Sequence, residues 1–110
     1  SMKVTECDKK RWGGKTVCPQ YRLLKWKRYC EKFNNNCFLY SLVWIIYHKM
    51  QVKYGVDIPA KTKIGPGFKI EHLYGIVINP DVIIGKNCNI YNGVTLGKTG
   101  STNWVPNYRR

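Results

Sequence analysis

Two histidines, five cysteines and six carboxylates are the residues of this 110-residue chain whose types could do chemistry near neutral pH. Imidazole is the side chain best matched to take or give a proton there. His48 lies in an apolar run and reads as a packed or surface histidine. His72, in Ile70-Glu71-His72, reads on its own as a surface residue at a chain corner. The cysteines (Cys7, Cys18, Cys30, Cys37 and Cys88) are odd in number and form no CxxC pair. That pattern points to reduced thiols and a cytoplasmic protein, not a disulfide framework. A zinc set of Cys30, Cys37 and His48 is conceivable, because the two cysteines could share a helical face. The close ligand pairs typical of structural zinc are absent, however, and no metal is expected.

The elements that must position these groups fall into three regions. Residues 1–18 are polar and basic around Gly13-Gly14 and read as an irregular arm. Residues 19–54 read as a helical segment. Pro19 suits the first turn of one helix, and Leu23, Trp26, Cys30 and Phe33 recur along it at helical steps, with Lys25, Lys27, Arg28 and Lys32 around them. Asn34-Asn35-Asn36 breaks that helix. A second runs from Cys37 to about Tyr54, with Gly55 as its stop. Its apolar run, Phe38 to Tyr47, is about ten residues, where roughly 20 are needed to span a bilayer. It reads as a helix buried against its own protein or a neighbouring subunit. The alternative is an interfacial helix at the inner membrane, aided by Lys25-Trp26-Lys27-Arg28.

Charge is uneven along the chain. Of a net +13, residues 1–54 carry +9 and the remainder +4. Such a surplus suits anionic partners in general and selects none. Nucleic acid is not expected, because the aromatics fall at helix-core spacing and not along a basic strand face.

From Val56 the chain reads in sixes, with a break only at Tyr74-Gly75. The third position holds Ile58, Ile64, Ile70, Ile78, Ile84, Ile90 and Leu96. The first holds Val56, Thr62, Phe68, Ile76, Val82, Cys88 and Val94. Alternate strand residues point to one side, so both positions face inward. Gly65, Asn79, Gly85 and Gly97 bend the chain after each short strand. No single strand buries enough to stand alone, so successive turns must stack into a parallel solenoid with one aliphatic ladder inside.

The phased repeat carries a family resemblance in Asp57-Ile-Pro-Ala, Ile-Gly-Pro-Gly-Phe-Lys-Ile-Glu-His72, Gly75-Ile-Val-Ile-Asn and Gly93-Val-Thr-Leu-Gly-Lys-Thr-Gly100. It resembles the hexapeptide-repeat acyltransferases over about residues 54–100, and among them serine O-acetyltransferase and the small acetyltransferases of polysaccharide synthesis. The resemblance implies a mainly β chain, a left-handed parallel β-helix (residues 55–110) after two α-helices. It implies acetyl-CoA as acetyl donor, a homotrimer or a multiple of one, and an active site between subunits. It places the catalytic histidine at His72 and its carboxylate partner at Asp57. The chemistry is sound: an alcohol is a poor nucleophile at neutral pH, and a carboxylate on the second ring nitrogen stabilises the imidazolium.

Glu71 stands where serine acetyltransferases usually carry an aspartate directed at serine, and is read with Tyr74 as a substrate contact. The CoA-contacting residues are not assigned. Seven hexads at three per coil make two and a third coils, so the chain is read as truncated within the solenoid. The expected function is O-acetylation of a sugar, a polysaccharide precursor or serine. The alternative is a non-catalytic solenoid module whose basic arm holds an anionic surface.

Overall fold

The computed structural model describes residues 4–97 and the backbone of Trp104–Val105. The six-residue phase appears there as short strands: β1 (Val56–Asp57), β2 (Lys63–Ile64), β3 (Lys69–Ile70), β4 (Ile76–Ile78), β5 (Ile83–Ile84), β6 (Asn89–Ile90), β7 (Thr95–Leu96) and β8 (Trp104–Val105). They stack as three parallel ladders, β1-β4-β7, β2-β5-β8 and β3-β6. Val56 lies opposite Ile76, Lys63 opposite Ile83 and Lys69 opposite Asn89, a step of 20 residues. Val77 lies opposite Thr95, a step of 18. The two extra residues in the first coil are Tyr74 and Gly75. Ile83 faces Trp104, a step of 21.

Every first- and third-position residue from Val56 to Leu96 is buried, as the alternation requires. Each such aliphatic side chain removed from water contributes roughly 1.5–3 kcal/mol. Coils approach most closely at the corners: a Cβ on Gly65 would come within 2.8 Å of the Gly85 backbone. The arrangement fits part of a left-handed β-helix.

Three helices precede the coil, not two: α1 (Val4–Arg11), α2 (Pro19–Lys32) and α3 (Cys37–Tyr54). The strands are so short that helix outweighs strand by residue count, so the described fold is not mainly β. α1 lies within the segment read as an irregular arm. It has no apolar periodicity to announce it. Glu6 in its first turn and Lys9, Lys10 and Arg11 in its last complement the helix dipole, and the residue it buries is Asp8. α3 begins at Asn36, whose side-chain oxygen accepts the Leu39 N–H at 3.0 Å, and ends at Gly55 with φ +65°.

The helices close the first edge of the coil with side chains. A strand edge exposes unpaired backbone groups, and buried ones must be satisfied. On β1 and the residue after it, the Tyr47 hydroxyl donates to the Ile58 carbonyl (2.5 Å) and Gln51 Oε1 accepts the Ile58 N–H (2.6 Å). Around β2, Lys27 Nζ donates to the Thr62 carbonyl (2.7 Å), and Arg28 donates to the carbonyls of Ile64 and Gly65 (both 2.8 Å). Before β3, Asp8 accepts the Gly67 N–H (2.8 Å) and Trp12 Nε1 donates to the Phe68 carbonyl (2.9 Å). Lys27 and Arg28 are therefore buried, the latter paired with Asp8 at 2.8 Å and the former with Glu31 at 2.6 Å. This corrects their sequence reading as part of an exposed basic cluster: each cation answers a carbonyl that a preceding coil would have bonded.

Candidate active site

The corner between β3 and β4 carries the residues singled out for chemistry. Ile70 and Leu73 both turn inward, which leaves His72 between them facing solvent. The inserted Tyr74-Gly75 is pinned from both sides. The Gly75 N–H donates to the Gly55 carbonyl at 2.7 Å, and the Tyr74 carbonyl accepts the Gly93 N–H at 3.0 Å. Tyr74 adopts φ +78°, a region that non-glycine residues rarely enter, and is 66% exposed. The His72 ring lies 6.3 Å from that of Tyr91, tilted by 44°.

Asp57 points outward and exposed from β1, opposite Val77 of β4. The Gly75–Gly55 bond brings the corner that bears His72 alongside the start of this strand. Among the described residues no hydrogen bond joins the Asp57 and His72 side chains. Catalytic hydrogen bonds in free enzymes are often long and tighten only when substrate binds.

Glu71 has a different setting. Its Oε2 accepts from Asn89 Nδ2 at 2.6 Å and lies 3.9 Å from Lys69 Nζ. Arg11 of α1 donates to the same Asn89, and Gln20 of α2 donates to the Glu71 carbonyl at 3.3 Å. The carboxylate read as a substrate contact is thus held in a polar network on the helix-covered β3-β6 face. Tyr91 was not foreseen. Its signal was present, since Glu71 and Tyr91 share the fourth hexad position on successive coils.

The remaining candidates are dispersed. Cys30 is buried, and burial pushes its thiol up to about 11. Cys37 is exposed at the start of α3, and His48 stacks on Trp44 with ring centroids 4.9 Å apart. Among the described residues, no group of three or more His, Cys, Asp or Glu could hold a metal ion. None of the described helices is long and apolar enough to cross a membrane.

Comparison with known proteins agrees with the resemblance read from the repeat. The chain is 39% identical over 56 residues to serine acetyltransferase 1, chloroplastic, of Arabidopsis thaliana, covering 51% of this chain and 18% of that protein. It is 41% identical over 56 residues to the serine acetyltransferase of Synechococcus elongatus, covering 51% and 23%. It is 42% identical over 50 residues to a protein of Escherichia coli K12 described as the colanic acid biosynthesis acetyltransferase WcaB, covering 46% and 31%. The matched segment thus spans about a fifth of the first two relatives and under a third of the third. No protein-family profile matches the chain, and no solved structure does.

Proposed function

Proceeding from that likeness to acetyltransferases of the hexapeptide-repeat group, we propose that this chain carries the general base of an acetyl-CoA-dependent O-acetyltransferase. The observation that carries the reading is His72, exposed at the corner two residues before the strained Tyr74 of the inserted bulge and beside the strand that bears Asp57. His72 takes the proton of an acceptor hydroxyl as that oxygen attacks the thioester carbonyl carbon. The carbon–sulfur bond breaks, the imidazolium returns its proton to the CoA sulfur, and the products are an acetyl ester and free CoA. Asp57 supports the imidazolium. The coil is left-handed in this reading, and three copies assemble with the site between neighbours.

A sugar hydroxyl suits the site better than serine. Serine needs an anion for its ammonium group, and the Glu71 carboxylate beside the base is already engaged by Asn89. Tyr74 and Tyr91 offer aromatic faces of the kind that hold apolar ring surfaces. The test is release of free thiol from acetyl-CoA by the complete gene product, with hexose acceptors and with serine. His72→Ala should lower turnover by a factor of roughly a hundred or more while acetyl-CoA binding stays nearly intact. Near-normal turnover in that variant would sink the assignment.

A further inference from the structure

α3 has two apolar sides, and only one of them is covered. Tyr40, Val43, Tyr47, Met50, Gln51 and Tyr54 recur at helical steps and face the core shared with α2 and β1. The opposite side carries Phe38 (69% exposed), Leu42 (47%), Ile45 (47%), Ile46 (41%) and Val52 (70%). Single exposed apolar residues are ordinary, but a contiguous row of large ones marks a docking surface.

Charge identifies the occupant. Lys49 and Lys53 stand four and eight positions after Ile45, on the same side of the helix, and α3 contains no Asp or Glu at all. Elsewhere, the carboxylates of Asp8, Glu31 and Glu71 are engaged by Arg28, Lys27 and Asn89. A second copy meeting this face with its own α3 would bring lysines against lysines in a chain of net charge +13, with no carboxylate on α3 to receive them. A surface of anionic phospholipid supplies the missing charge and an apolar boundary together.

We propose that the outer face of α3 docks the protein on an anionic membrane surface. The helix lies in the plane of the interface. Phe38, Leu42, Ile45 and Ile46 enter the boundary between headgroups and acyl chains, and the lysine ammoniums reach back to the headgroups. Trp44, stacked on His48 at the margin, takes the interfacial position that indole favours. The basic cluster singled out from the sequence is not what docks, since Lys27 and Arg28 are buried in the cap.

The experiment is co-sedimentation of the full chain with vesicles of phosphatidylcholine alone and of phosphatidylcholine mixed with phosphatidylglycerol, at low and high salt. Light scattering follows the protein's mass in parallel. The wild type should bind the mixed vesicles, release partly in high salt, and ignore the neutral ones. Phe38→Ser with Ile45→Ser keeps every charge, and Lys49→Glu with Lys53→Glu keeps every apolar residue. Each pair should weaken binding at least tenfold with an unchanged circular dichroism spectrum and mass. Absence of binding to anionic vesicles overturns the proposal. So does binding that survives the serine pair, which would mark diffuse charge attraction alone. A fall in mass on introducing the serine pair also overturns it, because the face would then cover another copy.

Discussion

Tyr74 carries φ +78° two residues from the proposed base. There the Cβ crowds the following carbonyl, and a non-glycine residue loses about 1–2 kcal/mol. Strain of this kind persists where the surroundings impose it, and it gathers at sites that act. Tyr74→Gly should therefore leave stability within about 1 kcal/mol of the wild type, or raise it, because relief of the backbone offsets the added freedom of glycine. The same change should raise the acceptor KM several-fold. Thermal unfolding and steady-state kinetics on one preparation check both halves. Asp57→Asn should cost less turnover than His72→Ala, since the amide can still orient the ring but cannot support its charge. At this scale the sequence was legible only through a motif: nothing in composition or spacing set His72 apart from an ordinary corner histidine. The company of Glu71 was not legible at all. Asn89 lies 18 residues away, and Arg11 belongs to a helix with no periodic signal.

Two of the three helices, α2 and α3, were legible as elements and misread as surfaces, while α1 was read as irregular chain. Pro19, the asparagine run and Gly55 marked the bounds of α2 and α3 by local chemistry that needs no tertiary context. The buried side of α2 escaped because lysine and arginine are ordinarily taken as solvent markers. Here Leu23 and Leu24 share the buried side with Lys27 and Arg28, whose cations bond backbone oxygens. Removing one partner of a buried ion pair strands the other. Arg28→Ala leaves Asp8 uncompensated and the carbonyls of Ile64 and Gly65 unpaired. It should destabilise the fold by about 3–5 kcal/mol in denaturant unfolding. By contrast the strand phase was legible to the residue, because one side-chain slip would turn the aliphatic ladder to solvent.

For the molecule as a whole, two buried groups set an alkaline limit. Burial raises the Cys30 thiol from 9.0 to about 11, and burial raises the Tyr47 hydroxyl well above its usual 10.0. Both are protonated in the folded state at pH values where the unfolded chain has released its proton. Their stabilisation is thus fully present below pH 9 and falls as pH rises through 9 to about 11, with Tyr47 extending the loss above 10. Lys27, lowered mainly by burial, acts in the opposite sense and makes the decline shallower. Melting temperatures measured from pH 8 upward should show that downward limb, beginning near pH 9. Assembly belongs to this scale too. The trimer proposed above is checked by light scattering, which at micromolar concentration should give three times the chain mass.

The closed first edge of the coil also bears on how the chain comes off the ribosome. The residues that seal that edge, from Asp8 to Gln51, all precede the coil they seal, and domains tend to fold in the order in which they are made. When the first coil emerges, its template is complete. Each later strand reaches back only 18 to 21 residues to find its partner. Winding can then keep pace with translation, and the growing chain exposes a single unpaired rim to its neighbours in the polysome at any moment.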